Sequence, residues 1–147
     1  MLRVMQLVPG DPLAHRALES LLQAEANVRR RLALDLEREG LSPTGFFVLV
    51  ILATAGGQQE LRAVRRRLQT SKANATEVID TLQTRGCVDR YRLPHDRRAA
   101  VIALTPVGRE VVDRLFPEHT QRVESAFAVL DEDEKRSLAA ICRKLAA

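Results

Sequence analysis

Residues 71–108, SKANATEVIDTLQTRGCVDRYRLPHDRRAAVIALTPVG, decide the fold, because the hydrophobic period changes halfway along them. In the first half Ala75, Val78, Ile79 and Leu82 recur at the i, i+3, i+4, i+7 spacing of an amphipathic helix with one core-facing stripe. Ser71 stands where such a helix needs a cap, and Gly86 where it needs a stop. Beyond Gly86 the runs CVDRYRL (87–93) and AAVIALT (99–105) are β-rich and flank PHDRR, in which Pro94 and Asp96 favour a turn. This pattern predicts a helix followed by a two-stranded hairpin with a basic tip.

Upstream, Leu61, Val64 and Leu68 mark a short helix whose other face carries Arg62, Arg65 and Arg66, and Gly56-Gly57 breaks the chain before it. The run at 46–53 is apolar all round and suits a buried helix or a buried strand; the preceding Ser42-Pro43 favours helix. Asp11-Pro12 opens a long first helix, with Leu18, Leu21, Leu22, Val28 and Leu32 at helical spacing and a stop near Gly40. Downstream, Thr105-Pro106 starts another helix bearing Val107, Val111 and Leu115, then Val123 and Phe127. Between these groups Pro117 cannot donate to the Asp113 carbonyl, so a kink or break is expected. Asp131 and Glu134 form a capping box for a last helix striped by Leu138, Ile141 and Leu145. The order is α, α, α, α, β-hairpin, α, α: a mainly α, α+β chain. Its middle is the winged form of helix-turn-helix, whose second helix enters the DNA major groove. With the stripe buried, the opposite face of that helix presents Lys72, Ala73, Thr76 and Glu77, with Asp80 beside them, while Ser71 and Asn74 lie at its N-terminal end. Such groups bond base edges and phosphates, and the helix N-terminus itself attracts phosphate.

Composition agrees. The chain has 147 residues, 46% hydrophobic and 29% charged, which suits a soluble fold of one domain. Its longest apolar run is the eight residues 46–53, short of a bilayer span. The start, MLRVMQLVPGD, lacks a small-residue cleavage site, so a cytoplasmic protein with no membrane partner is expected. Net charge is +4, but residues 61–98 hold ten basic and four acidic side chains, a net of +6, leaving −2 for the rest. A basic segment on an otherwise acidic chain is the footprint of a polyanion partner. There is no phosphate-cradling glycine loop, GxSxG or HExxH, so no enzyme is expected. His15, His95 and His119 match no ligand spacing, and neither metal nor cofactor is expected.

SKANATEVIDTLQTRGCVDR (71–90) and RLPHDRRAAVIALTPVGRE (92–110) resemble the recognition helix and wing of the MarR family of bacterial transcriptional regulators, including the D-R-R tip and the L-T-x-x-G exit. The resemblance covers about residues 41–146. It departs at Cys87, where a bulky aliphatic residue is commoner, and at Gln83, where Glu is common. It implies an obligate homodimer whose first (1–40) and last (106–147) helical segments intertwine around winged lobes (41–105). The large apolar stripes of the outer helices agree with this. Two-fold symmetry then asks for a pseudo-palindromic double-stranded site with half-sites about 10–10.5 base pairs apart. The wing tip would reach the minor groove through Arg97 or Arg98, with Asp96 orienting them or bridging to Arg98 to hold the wing.

The resemblance also implies a regulator, more often a repressor, released by a small phenolic or aromatic carboxylate effector. With 3% aromatic residues and no Trp, a stacking-rich pocket is not expected. His15 and Arg16 are the candidate pocket cations. A thiol switch would fall to Cys87, near Arg85 and Arg90; Cys142 reads as a small core residue. Alternatives are a redox-responsive regulator, a non-specific architectural DNA binder, and a protein-interaction module on the same fold. The polar recognition face favours sequence reading.

Overall fold

Three helices open on a capping side chain followed by proline. The caps close because Asp11 Oδ1 accepts from the Leu13 amide at 2.9 Å, Ser42 Oγ from Gly45 at 2.9 Å and Thr105 Oγ1 from Gly108 at 3.0 Å. The computed structural model describes residues 10–68 and 70–147; the reading of the first nine residues lies outside them. In order the elements are α1 (Pro12–Arg38), α2 (Pro43–Thr54), β1 (Gln58–Glu60), α3 (Leu61–Leu68), α4 (Lys72–Thr84), β2 (Val88–Leu93), β3 (Asp96–Leu104), α5 (Pro106–Phe127) and α6 (Glu132–Ala146).

The apolar run is a helix and explains its own lack of polarity. On α2, Phe46, Val48, Leu49, Ile51 and Leu52 are buried, because α2 is the centre of the lobe. Val64 from α3, Ile79 and Leu82 from α4, Val88 and Ile102 from the sheet, Val112 and Leu115 from α5 and Leu36 from α1 close around it. The buried positions of α4, Ala75, Ile79 and Leu82, follow the predicted stripe, with Val78 half-buried beside them.

Four expectations need correction. The sheet is three-stranded, in the order β1-β3-β2, because Gln58, Gln59 and Glu60 pair antiparallel with Ala103, Ile102 and Val101. A three-residue polar strand is too short to show alternation. The hairpin turn is only Pro94 and His95, so Asp96, Arg97 and Arg98 begin β3 instead of forming the loop. Proline's φ near −65° has the wrong sign for the turns that match strand twist, and a register irregularity between Arg92 and Leu93 takes up the difference. Of the kink or break expected at Pro117 the break does not occur: α5 runs on to Phe127, and Asp113 and Pro117 are both exposed, so water can serve the freed carbonyl. Its buried stripe is Gly108, Val112 and Leu115, whereas Val107 is 51% exposed. Gly108 has no room for a side chain, because a Cβ would run into the Cys87 carbonyl. Cys142 is exposed in the protomer, not a core residue, because α6 buries none of its residues within its own chain.

Two ion pairs tie α1 to α5: Asp35 with Arg122, and Glu39 with Arg114 at 2.9 Å. Residues 10–27, which include the first part of α1, and the whole stretch 131–147 stay exposed.

Candidate nucleic-acid interface

Helix α4 is held at its start by Ser71, whose Oγ accepts from the Asn74 amide at 3.1 Å. Asn74 folds back, its Nδ2 donating to Thr70 Oγ1 at 2.7 Å, which leaves the amide oxygen toward solvent partners. Ser71, Lys72, Ala73, Asn74 and Glu77 are exposed; Thr76 is half-buried and donates its hydroxyl to the Lys72 carbonyl at 2.8 Å. Lys72, Ala73, Thr76, Glu77, Asp80 and Thr84 line one open trough along the helix. That face offers a cation, an acceptor, hydroxyls and a methyl, the set with which side chains distinguish base pairs in a major groove. Asp80 is partly spent, because Arg90 of β2 reaches its carboxylate at 3.7 Å and links helix to wing.

The wing tip is built by backbone contacts. Asp96 Oδ1 accepts the Arg98 amide at 3.0 Å, and Arg92 Nη1 donates to the Arg97 carbonyl at 2.7 Å. The expected Asp96–Arg98 bridge is therefore a bond to the Arg98 main chain. Both guanidiniums, of Arg97 and Arg98, are exposed and have no ion-pair partner among the described residues. Tyr91 adds a strut across the sheet, its hydroxyl bonding Gln58 Oε1 at 2.6 Å. Nothing in the spacing of Arg92 announced its role, since the bond depends on a turn shorter than the sequence suggests.

Other candidates fare differently. His15 and Arg16 sit on the exposed first turns of α1, away from the cleft beside α5. That cleft, about 720 Å³, opens between the second half of α1 and α5 and is lined by Arg31, Arg38 and Arg122 with Asp35, Glu39 and Glu118. Cys87 is buried; burial pushes its thiol up against the opposing pull of Arg85, which disfavours the thiolate. His119 packs edge-on to Phe46 at 4.9 Å, and burial pulls its pKa down. Among the described residues no group of three or more His, Cys, Asp or Glu could hold a metal ion, and no helix is long and apolar enough to cross a membrane.

Residues 41–100 match the MarR family. Among curated proteins the chain is similar to an HTH-type transcriptional regulator of Bacillus subtilis, YkoM: 36% identity over 110 residues, covering 75% of this chain and 71% of the relative. Among solved structures it is similar to Sco3205, a MarR family transcriptional regulator from Streptomyces coelicolor, in complex with DNA. The TM-score is 0.84 at 26% identity, covering 95% of this chain and 91% of that one. BpsR of Bordetella bronchiseptica, whose DNA binding is regulated by 6-hydroxynicotinic acid, gives a TM-score of 0.78 at 25% identity, covering 90% and 99%. With 36% identity across 71% of that relative and a fold shared along nearly the whole chain, the chain belongs to the MarR family of DNA-binding transcriptional regulators.

Proposed function

We propose that the chain acts as a homodimer that reads a pseudo-palindromic operator, represses the promoter it occupies, and is released by a small aromatic effector. The observation that carries this is the division of α4 into a buried stripe and an exposed polar face, next to a wing whose two tip arginines have no ion-pair partner among the described residues. Ser71, Lys72, Ala73, Asn74, Thr76 and Glu77 meet the major groove, and Arg97 or Arg98 the minor groove, with Asp96 holding the tip. The uncovered apolar faces of α1 and α6 support a second copy as the missing partner, which divides the chain into outer helical segments at 1–40 and 106–147 and a DNA-binding lobe at 41–105. Repression follows from occupancy, since a protein seated on a promoter excludes other proteins from it.

An effector is supported by the ligand named for BpsR and by the cleft between α1 and α5, whose volume of about 720 Å³ is that of a small-molecule site. Arg122 is held by Asp35, which leaves Arg31 and Arg38 as the cleft cations that could meet a carboxylate, beside Glu39 and Glu118. His15 and Arg16 lie on the uncovered stretch of α1, so an effector role for them requires the second copy.

The test is recovery of genomic fragments by the purified protein at about 0.15 M salt, repeated with Arg97→Ala and Arg98→Ala together. A few fragments sharing an inverted repeat are expected. The double variant should show a salt dependence shallower by about 0.9 for each phosphate it no longer neutralises. Uniform recovery would mean an architectural protein, and an unchanged double variant would remove the wing from the interface. Adding hydroxylated aromatic carboxylates to the bound operator then tests release.

A further inference from the structure

We infer that Arg85 is a positioning residue for DNA reading: it clasps the end of the recognition helix to the end of α1 and so sets how far apart a dimer holds its two recognition helices. The inference rests on the dimeric reading above. Arg85 is the C-cap residue of α4, and its guanidinium donates from Nη1 to the Gly40 carbonyl at 2.5 Å and from Nη2 to the Glu39 carbonyl at 2.6 Å. Those carbonyls lie just past α1, where the Gly40 and Leu41 amides already turn back to Glu37 and Leu36, each at 2.9 Å. Neither oxygen has a helical donor, and one planar fork satisfies both. Glu39 also accepts Arg114 of α5 through its side chain, so α1, α4 and α5 meet at one point.

Gly40 lies directly against this fork and, as the left-handed residue that ends α1, fixes where the two carbonyls point. Its φ is +68°, and a Cβ there would run into the Arg85 guanidinium. Helix α1 is also a long lever: 27 residues at about 1.5 Å each make about 40 Å, and its far part carries the uncovered apolar face. A small change of angle at the clasp displaces α4 relative to the partner's α4 without altering any group that faces a base. The quantity Arg85 controls is therefore half-site spacing, not base preference. A direct phosphate contact is the rival role, since Arg85 stands at the edge of the α4 trough.

Arg85→Ala, Arg85→Lys and Gly40→Ala are compared with the parent on operators whose half-sites are one base pair closer, native, or one farther, over a range of salt. Spin labels at Arg30→Cys and Gln83→Cys in a Cys142→Ser background, diluted with unlabelled chain, report the α1–α4 distance within one protomer without DNA. The parent should discriminate spacing by about tenfold, the size of a mismatched position, and Arg85→Ala should reduce this to about threefold or less with its salt slope unchanged. Gly40→Ala, which alters nothing facing DNA, should do the same; Arg85→Lys, with one point donor in place of a fork, should fall between. Both breaking variants should broaden the distance distribution. Uniform weakening by Arg85→Ala with a salt slope lower by about one, while Gly40→Ala keeps its spacing preference, would overturn the inference in favour of a phosphate contact. So would an unchanged distance distribution. A parent indifferent to spacing would instead sink the dimeric reading, and the distances alone would then decide the clasp.

Discussion

The lobe around α2 and the pair of outer helices α1 and α6 are made of similar apolar material and treat it oppositely. In the lobe Phe46, Leu49, Ile79 and Ile102 show 0% exposure. On the outer helices Leu18, Leu22, Ile141 and Leu145 are 52%, 57%, 59% and 69% exposed. Soluble monomers seldom leave contiguous apolar faces of this kind open. The lobe has found its neighbours within the chain, whereas the stripes of the outer helices are left open in the protomer, as the proposed second copy requires. The two regions should therefore answer to different variables: the lobe to packing, the outer helices to protein concentration.

The largest effect should come from the lobe. Phe46→Ala removes a fully buried ring of the core cluster that packs against His119 of α5, and should cost about 3–5 kcal/mol in denaturant unfolding, independent of protein concentration. A smaller effect of another kind should come from Leu138→Glu with Ile141→Glu. Within one protomer these positions touch little, so a monomer would change by no more than about 0.5 kcal/mol. A dimer that buries them forfeits about 1.5–3 kcal/mol for each side chain, which weakens association by tenfold or more per position. Light scattering and the concentration dependence of Tm measure this; a variant as dimeric as the parent would end the contrast between the two regions.

What the sequence made legible follows the same division. The caps at Asp11, Ser42, Ser71, Thr105 and Asp131 are local chemistry, written in consecutive residues, and all five accept the amide expected of a cap. The α4 stripe was legible because burial on one helix face imposes a period. The β1 strand was not, because its pairing is decided by β3 some forty positions away and its own three residues carry no pattern. Arg85 was equally hidden: its partners are main-chain carbonyls 45 and 46 positions earlier, and any residue there would present the same oxygens. Only Gly40 gave a trace, and it reads first as a helix stop. Cys142 was misread because a stripe on a helix does not say whether its own chain covers it.

Between the two regions stands the cap at Ser71, which serves folding and DNA at once. Ser71→Ala should cost about 1 kcal/mol by freeing the Asn74 amide. Ser71→Asp keeps an acceptor and favours the helix dipole, so stability should hold while operator binding falls, because the new charge faces phosphate. Paired melting and binding curves separate the two roles. If Ser71→Asp binds like the parent, the start of α4 does not approach the DNA backbone.

The smallest expected effect sits at the seam, on His119. Its ring lies edge-on to Phe46 of the lobe and 6.5 Å from Phe116, and its Nδ1 is buried without a hydrogen-bond partner among the described residues. Asp35 and Glu118 line the same small void, with Arg122 opposing them. Burial holds the His119 pKa below its ordinary value of about 6.5, so the folded chain takes up this proton less readily than the unfolded one. Stability from this group is therefore fully present above about pH 6.5 and drains away as pH falls toward the depressed folded value. His119→Gln cannot take up that proton, so its Tm should fall less than the parent's between about pH 7.5 and 5.5, even if its Tm at the upper end is lower. Equal decreases of Tm in both proteins would place the acid sensitivity elsewhere and leave the seam between lobe and outer helices without a titrating part.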